Sequence, residues 1–319
     1  MDAPGARPIS GNGSSALAAP GDKPAPRFMN VRQVADYLHL NEKKVYALVS
    51  EGNIPATKVT GKWMFPRDLV DRWLLESSYG GVLTDRLALA GSDDPLLHRV
   101  IMQLAHDIRA QALVSYTPTG AGLGLGLLAR HRADICAVHW GPVTESRHRH
   151  TALLSRYPQH RDWVLVRAFH RQQGLMVRRE HQDELPRLVS APLRWAMRQE
   201  GSGCQRFLQE ALAAQQVTMA SIMERSVYTA LSGRDAAAAL AMGQADVAPG
   251  SHGNATEAGL AFVPVGWEAF DLALYRGVYF RRLFQQLLDE LRTRRTQTAA
   301  ESLGGYDFTE LGRIMWTAH

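Results

Sequence analysis

Four short segments rich in serine, threonine and glycine stand where a predicted strand passes into a predicted helix. They are Gly91-Ser92, residues 117–120, Gly201-Ser202-Gly203 and Ser232-Gly233. Each combines hydroxyl groups with the free backbone N–H groups and positive dipole end of a helix start, which together bind small anions. A single segment of this kind is more often only a helix cap. Four of them in succession indicate one anion-binding cleft.

A different chemistry is indicated between residues 28 and 76, where cationic and aromatic side chains share the outer face of a short predicted helix. Asn41 can cap this helix, Val45 points inward, and Lys43, Lys44 and Tyr46 point outward. A helix face of this composition suits the major groove of DNA.

The elements around that helix are a first helix capped by Asn30, a hairpin over residues 57–65 that turns at Gly61, and a closing helix that begins at Pro66. Their order resembles the excisionase/MerR-like winged helix-turn-helix family. The matching residues are Ile54-Pro55-Ala56, Val59-Thr60-Gly61-Lys62-Trp63, Pro66-Arg67-Asp68-Leu69 and Trp73-Leu74. The resemblance implies double-stranded DNA as a partner. The predicted DNA-binding residues are Arg32, Asn41, Lys43, Lys44, Tyr46, Lys58, Lys62 and Trp63.

From residue 86 onward, apolar segments of strand length alternate with amphipathic segments of helix length. Strands are predicted at residues 87–90, 112–116, 133–139, 163–169, 174–177, 193–197, 246–248 and 260–265. Helices are predicted at residues 96–109, 201–214, 232–242 and 283–291, with a further glycine-rich helix that ends near residue 130. This alternation predicts an α/β fold with mostly parallel strands.

The same region resembles the type II periplasmic-binding-protein-like domain that is found fused to excisionase-type modules, with molybdate-binding-like relatives. The matching segments are Gly91-Ser92-Asp93-Asp94-Pro95, Gly174-Leu175-Met176-Val177, Arg198-Gln199-Glu200-Gly201-Ser202-Gly203, Gly243-Gln244-Ala245-Asp246-Val247 and Leu303-Gly304-Gly305-Tyr306-Asp307. The resemblance implies two lobes that close on a ligand by a hinge motion. The predicted ligand-binding residues are Ser92, Asp93, Thr117, Thr119, Gly120, Arg198, Gly201, Ser202, Gly203 and Ser232.

Composition sets limits on the other classes of protein. The net charge of +5 is compatible with nucleic acid but does not establish it. Residues 28–79 hold seven Lys or Arg against six Asp or Glu, a net charge of +1, so their cations must act by placement. Two cysteines without a CxxC motif support neither a disulfide scaffold nor a cysteine zinc site. The chain has no apolar run of membrane-spanning length, and the expected location is the cytoplasm.

Three further clusters allow more than one interpretation. Arg147-His148-Arg149-His150 could form a metal or phosphate patch, but the absence of neighbouring ligands at metal-binding spacing favours a solvated loop. Cys204 at a predicted helix start could have a lowered pKa and be redox-sensitive. The run Gly120-Ala121-Gly122-Leu123-Gly124 lacks dinucleotide-binding order and indicates close packing of a helix with an anion-facing first turn.

The sequence therefore predicts an α/β protein with an N-terminal winged helix-turn-helix and a two-lobed periplasmic-binding-protein-like domain. The predicted organisation is a disordered tail at residues 1–27, the DNA-binding domain at 28–77, a linker at 78–85 and the ligand-sensing domain at 86–319. The predicted function is a ligand-responsive transcription regulator that acts as a homodimer, without membrane association, catalysis, metal or cofactor. Its predicted effector is a small anion such as molybdate or tungstate.

Three alternative functions stand beside this prediction. An excisionase-type recombination factor would share the DNA-binding motif but needs little more than that motif. A small-molecule binding protein without a DNA role would share only the second domain. An enzyme would rest on Cys204 and scattered histidines, since no catalytic motif is present.

Overall fold

The computed structural model describes residues 26–51, 54–78 and 86–318. The chain divides into two compact units, Met1–Ser78 and Tyr79–His319. Residues 1–25 of the predicted tail and 79–85 of the predicted linker lie outside the described residues. Arg27 already takes part in the fold of the first unit, because its carbonyl accepts the backbone N–H of Arg67 at 2.9 Å. Ser78, the first residue of the predicted linker, is the last residue of a helix.

The first unit has short helices and a three-stranded antiparallel sheet in the order β1-β3-β2. Its elements are β1 (Phe28–Met29), α1 (Val31–Tyr37), α2 (Glu42–Ser50), β2 (Thr57–Val59), β3 (Lys62–Pro66) and α3 (Arg67–Ser78). The β2–β3 hairpin turns at Thr60 and Gly61, whose φ angles of 46° and 83° are both positive. Positive φ at both central residues gives the turn a twist that matches paired strands. This hairpin is the predicted wing.

Helix caps and a small hydrophobic core hold helix α2 in place. Asn30 caps α1 and Asn41 caps α2, where the Asn41 side chain accepts the backbone N–H of Lys44 at 2.8 Å. Val45 of α2 is fully buried against a core that includes Val34 and Phe65. Because Val45 anchors the inner face, the neighbouring residues of α2 are turned toward solvent.

The second unit contains one sheet of ten strands, in the order β5-β4-β6-β11-β7-β10-β8-β9, with two short C-terminal strands paired to β7. The strands are β4 (Arg86–Gly91), β5 (Leu113–Pro118), β6 (Ile135–Val138), β7 (Trp163–Val177), β8 (Trp195–Arg198), β9 (Ser226–Ala230), β10 (Val247–Ser251), β11 (Ala261–Tyr275), β12 (Tyr306–Asp307) and β13 (Ile314–Thr317).

Helices cover the sheet between these strands. They are α4 (Pro95–Ile108), α5 (Ala121–Ala129), α6 (Ser146–Leu154), α7 (Leu185–Ser190), α8 (Gly203–Ala214), α9 (Met219–Met223), α10 (Gly233–Ala241), α11 (His252–Glu257), α12 (Arg276–Tyr279), α13 (Arg282–Arg292) and α14 (Arg294–Leu303). Short 3-10 turns occur at Arg109–Gln111, Val143–Glu145, Pro158–Asp162 and Arg179–His181. The predicted α/β class is confirmed.

The centre of the sheet differs from the predicted mostly parallel arrangement. Parallel pairs form at the two flanks, β5-β4-β6 and β10-β8-β9, whereas β6, β11, β7 and β10 pair antiparallel. The two predicted strands at residues 163–169 and 174–177 are one continuous strand, β7. The prediction was wrong because the polar residues 170–173 interrupt the apolar pattern, although they continue the strand.

Two lobes are built on the shared pair β7–β11. We define the first lobe as residues 86–171 with 267–318, and the second lobe as residues 173–265. Phe169 and Phe270 belong to the core of the first lobe, whereas Leu175 and Val177 belong to a core of the second. The pairing register shifts between Pro264 and Gly266 where the strands pass from one lobe to the other. This irregular point lies at the boundary between the lobes.

The cluster at residues 147–150, predicted as a solvated loop, lies in helix α6 and contributes to the interior. His150 is fully buried, and its Nδ1 lies 2.7 Å from Oδ2 of Asp271. The second oxygen of Asp271 accepts from the buried Arg167 on β7. Arg167 also donates to Glu310 at 2.6 Å, which ties the C-terminal segment to the first lobe. A buried carboxylate therefore gives His150 a structural role.

Helix α5 packs unusually close to the sheet, as its glycine content predicts. An added Cβ on Gly124 would lie 2.6 Å from the Cα of Gly91 and 2.7 Å from Sγ of Cys136. Gly124 therefore lets the helix approach β4 and β6 directly. Gly126 in the same helix has no described atom within 4 Å of the added Cβ position.

These two glycines supply a matched test of the close packing. Gly124→Ala should destabilise the second unit by about 1–3 kcal/mol, because overpacking forces the strand or helix to shift. Gly126→Ala should instead be neutral or stabilise by up to about 1 kcal/mol through helix propensity. Denaturant unfolding followed by circular dichroism measures both. Equal effects of the two substitutions would contradict the packing.

Candidate functional site

The predicted DNA-binding side chains lie on the outer surface of the first unit. Lys43, Lys44 and Tyr46 are exposed on α2, and the Tyr46 side chain is 50% accessible to solvent. Arg32 is exposed on α1. Asn41 is exposed as well, but its side-chain oxygen already serves as the cap of α2. The helix that carries Lys43 and Lys44 is thus positioned by its buried Val45 and by its own cap.

The wing presents a second cationic surface. Lys58 and Lys62 are exposed on the hairpin, and Lys58 is paired across the strands with Trp63. The Lys58 ammonium lies 5.7 Å from the centre of the Trp63 ring, within the range of a cation–π contact. Trp63 is half-buried and packs on the core. Trp63 therefore supports the wing and orients Lys58.

In the second unit, the predicted ligand-binding residues are divided between the two lobes, and three interlobe contacts bring most of them together. The Asp93 carboxylate accepts the backbone N–H of Arg234 at 2.9 Å. Gly203 packs so tightly against His139 that any added Cβ would overlap the ring. A Cβ on Gly120 would lie 3.3 Å from Nε2 of Gln199.

An interlobe ion pair lies beside this region, where Arg149 of α6 donates to Glu210 of α8 at 2.5 Å. Two of the predicted residues stand apart from the contacts between the lobes. Thr117 is exposed on β5, and Gly201 is exposed with no described atom within 4 Å of an added Cβ.

The helix starts differ in how far their N–H groups are already used. Asp94 caps α4 through the backbone N–H of Leu97 at 2.9 Å, and Pro95 at the first position has no N–H. At α10, Ser232 caps the helix, and Asp93 takes the N–H of Arg234. The Asp93 carboxylate of the first lobe thus lies at the N-terminus of α10 in the second lobe, where a bound anion would otherwise accept the backbone N–H groups.

The remaining two helix starts belong to α8 and α5. Ser202 caps α8 by accepting the backbone N–H of Gln205 at 3.1 Å, and His139 covers the adjacent Gly203. Gly120 directly precedes helix α5 and provides no side-chain cap. The side chain of Thr119, just before it, accepts the N–H of Gly91 at 3.0 Å. Among the four starts, α5 therefore offers the first-turn N–H groups that no side chain caps.

Arg198, at the end of β8, is a buried cation that bonds only neutral groups in the described part of the chain. Its guanidinium donates to the carbonyls of Ala230 and Leu231 at 3.3 Å and lies 3.7 Å from Sγ of Cys204. It also donates to the side-chain oxygen of Gln199. A buried charge without a counter-charge is costly, so Arg198 favours an anionic ligand.

Several buried side chains around the lobe boundary have polar atoms without a hydrogen-bond partner among the described residues. These atoms are Ser92 Oγ, Asp93 Oδ1, His139 Nδ1, Asn254 Nδ2 and Glu268 Oε2. Each such group costs about 1–3 kcal/mol when it is left unpaired. A ligand that pairs with these atoms would remove part of that cost.

Arg171 links the loop after β4 to the shared strands. Its Nε donates to Glu268 at 2.7 Å, and its terminal nitrogen donates to the carbonyl of Asp93 at 2.7 Å and the carboxylate of Asp94 at 2.9 Å. Its guanidinium also lies 4.7 Å from the Phe270 ring centre. Burial raises the pKa of Glu268 and of Asp94, and the charge of Arg171 opposes both shifts.

Sequence reasoning missed His139, Arg171, Gln173, Asn254 and Glu268. Arg171 and Gln173 fall in the polar gap that separates the two strands predicted from the apolar pattern. A charged residue within an otherwise apolar strand is the signal that could have identified Arg171, because buried charges are rare unless they are paired.

Burial of Cys204 opposes the lowered pKa that its place at a helix start suggested. Cys204 is buried, and its Sγ lies 3.5 Å from Nε2 of His139. Burial raises the pKa of the Cys204 thiol, although the charge of Arg198 opposes the shift. Burial, followed by the charges of Arg171 and Arg198, lowers the pKa of His139 well below its usual value. Burial therefore favours the neutral thiol and the neutral imidazole in this pair.

The described residues contain no group of three or more His, Cys, Asp or Glu side chains placed to hold a metal ion. The described helices also include none with the length and apolar character needed to cross a lipid bilayer.

Comparison with protein families gives two matches. Residues 28–78 match the family described as a helix-turn-helix domain, and residues 103–292 match the family described as a PBP superfamily domain. Comparison with curated protein sequences gives no significant match.

Solved structures share the fold at low sequence identity. A phosphate ABC transporter substrate-binding protein from Clostridium perfringens with bound phosphate is 9% identical, with 70% of this chain and 99% of that chain covered at a TM-score of 0.51. A cysteine-to-serine mutant of OxyR from Corynebacterium glutamicum, bound to hydrogen peroxide, is 12% identical, with 86% and 90% covered at a TM-score of 0.51. These likenesses confirm the predicted periplasmic-binding-protein-like fold.

The lowered pKa of His139 predicts a pH-dependent stability of the second unit. The folded protein keeps His139 neutral, whereas the unfolded chain takes up a proton below about 6.5, so acid favours the unfolded state. The unfolding free energy of the wild type should fall relative to that of His139→Gln, by up to about 1.4 kcal/mol per pH unit below that value. Urea unfolding at a series of pH values measures the difference. A difference that is independent of pH would contradict the neutral buried imidazole.

Proposed function

We propose that this chain, which belongs to the PBP superfamily through residues 103–292, is a DNA-binding transcription regulator that responds to a small ligand. The observation that carries the proposal is the presence of a helix-turn-helix domain at residues 28–78 in the same chain. A ligand-binding domain joined to a DNA-binding domain has the two parts that a one-chain regulator needs.

On the DNA side, helix α2 enters the major groove and the wing contacts the neighbouring backbone. Tyr46, with Lys43 and Lys44, lies on the exposed face of α2, and Lys58 and Lys62 lie on the wing. Lysine contacts to phosphate supply affinity and register, whereas sequence is read at base edges. This assignment is supported by the opposite face of α2, which packs on the core of the first unit and leaves the exposed face available to DNA.

On the ligand side, the effector is a small anion held between the lobes, with molybdate, tungstate and phosphate as candidates. Arg198 supplies a buried positive charge, and the uncapped start of α5 supplies backbone N–H groups. The fold is also that of a substrate-binding protein solved with phosphate. We expect the protein to bind this effector without turning it over.

The effector acts by changing the closure of the lobes, and a homodimer passes this change to two DNA-binding units. Ligand can shift such an equilibrium only by binding the closed and open arrangements unequally. Unpaired polar atoms at the lobe boundary give the closed form the larger gain from a ligand. Two-fold operators recognised by paired reading helices make a dimer the natural assembly. A regulator of this kind acts in the compartment that holds the chromosome, the cytoplasm.

Replacement of Lys43 and Lys44 by Ala should weaken DNA binding and reduce its salt dependence. The slope of log K against log salt is negative, and each lost phosphate contact reduces its magnitude by about 0.9. Two lost contacts therefore reduce it by about 1.8. Fluorescence anisotropy with a labelled mixed-sequence duplex at several salt concentrations measures both quantities. Arg130→Ala with Arg132→Ala, two exposed residues of the second unit, is the control with the same charge change. Equal affinity and slope in the two double variants would refute the assignment.

Replacement of Arg198 by Gln should abolish thermal stabilisation by molybdate, tungstate or phosphate. A ligand at a hundred times its dissociation constant stabilises the folded state by about 2.7 kcal/mol, and this gain is lost with the binding charge. Arg194→Gln is the control, because Arg194 pairs with Asp246 at 2.8 Å at the opposite end of β8. A full melting shift in Arg198→Gln, or none in the wild type, would contradict the oxyanion assignment.

A further inference from the structure

The two ends of the candidate cleft carry opposite chemistry. At one end stands Arg198, a buried guanidinium that bonds only neutral groups of the described residues. At the other end, the single guanidinium of Arg171 bonds the carboxyl groups of Asp94 and Glu268 and the backbone carbonyl of Asp93. Two carboxyl groups against one guanidinium leave the acidic end with an excess of acceptors. A bare oxyanion would satisfy the first end and be repelled by the second.

The acidic end also has the oxygen atoms that a ligand donor would need. Asp93 uses one carboxylate oxygen on the N–H of Arg234, and its Oδ1 has no partner among the described residues. Glu268 uses one oxygen on Arg171, and its Oε2 likewise has no partner within the described part of the chain. Both side chains are more than nine-tenths buried, so these oxygens are acceptors that water reaches poorly. Uncompensated buried acceptors of this kind favour an ammonium group.

A continuous chain of side-chain contacts joins the two ends. Sγ of Cys204 lies 3.7 Å from the Arg198 guanidinium and 3.5 Å from the His139 ring. The His139 ring stacks on the Phe270 ring with 6.1 Å between the ring centres, and the Arg171 guanidinium lies 4.7 Å from the centre of the same Phe270 ring. Arg171 in turn holds Glu268 and the Asp93 carbonyl, each at 2.7 Å.

We propose that the effector is a small zwitterion, with an anionic group at Arg198 and the start of α5 and an ammonium group at Asp93 and Glu268. This inference rests on the proposed ligand-sensing function and assigns the class of ligand to the same cleft. Asp93 would then couple binding to closure, because one of its oxygens meets the ligand while the other bonds the second lobe.

Matched pairs of ligands that differ only in the ammonium group test the proposal on the full chain. Glycine, L-serine, L-glutamate and aminoethylphosphonate are compared with glycolate, L-glycerate, glutarate and hydroxyethylphosphonate by thermal shift and calorimetry. At least one amine-bearing member should bind about 30-fold or more tightly than its partner, as expected for a buried charge pair. Molybdate and phosphate should bind more weakly than that member.

The variants Asp93→Asn and Glu268→Gln keep the shape of each side chain and remove its charge. Each should cancel most of the preference for the amine, whereas Asp289→Asn, at an exposed position of α13, should leave it intact. Their melting temperatures without ligand show whether each variant folds, and either variant alone suffices for the test. Retained preference in both folded variants would overturn the proposal.

The ligand panel also separates this inference from the function on which it rests. If bare oxyanions or deaminated acids bind as tightly as the amines and Arg198→Gln abolishes that binding, the zwitterion is wrong and the anion-sensing function stands. If no member of any pair and no oxyanion binds the wild type, both are wrong.

Discussion

The pairing of β7 with β11 is the constraint on which the rest of the second unit depends. Each strand is fifteen residues long, and the two pair from Trp163 opposite Tyr275 to Val177 opposite Ala261. Both lobes are built on this one pair of strands, so side chains near the middle of the pair lie at the boundary between the lobes. Arg171, Gln173 and Glu268 all occupy that middle section. The middle of this strand pair therefore forms the floor of the candidate cleft, and the helices and loops around it supply the walls.

The first unit and the flanks of the second unit follow closely from sequence, because local rules decide them. Asn30 and Asn41 cap their helices as predicted, and the turn at Gly61 has the positive φ that its wing requires. The short parallel strands at each flank are apolar and lie next to their helices in the chain, so periodicity locates them. Close packing of α5 followed from its glycines alone.

The middle of the sheet and much of the candidate site could not be predicted in this way. Arg167 and Arg171 are polar residues in a buried strand, and only partners about one hundred residues away, Asp271 and Glu268, make their burial tolerable. The prediction of a solvated His150 was wrong for the same reason, since its partner Asp271 is distant in sequence. Local patterns carry no information about such pairs. The predicted roles of the site residues remain predictions, although the fold brings most of the candidates to one boundary.

The candidate cleft contains charges of both signs, and the way they are paired describes it better than a net positive or negative charge. Arg198 lacks an acidic partner among the described residues, whereas Arg171 has more than it needs. Removing charges from water is costly unless each meets its complement, so an unbalanced pair of ends is stable only when something else completes it. Asp93 supplies part of that completion by reaching the N–H of Arg234 from the opposite lobe. One oxygen of the Asp93 carboxylate thus links the two lobes, while the other oxygen has no partner among the described residues.

The division of the first lobe into two distant stretches of chain has a consequence for synthesis. The second lobe, residues 173–265, is continuous, so all of its strands have been translated before β13 is made. The first lobe is complete only after residues 267–318 have been made. In that segment β12 and β13 pair with β7, and Glu310 accepts a hydrogen bond from the buried Arg167. A chain that ends near residue 266 would therefore contain the whole second lobe but would lack residues 267–318 of the first lobe. Domains that gather distant segments fold more slowly than continuous ones, so the first lobe is the part that a chaperone or a protease would meet unfinished.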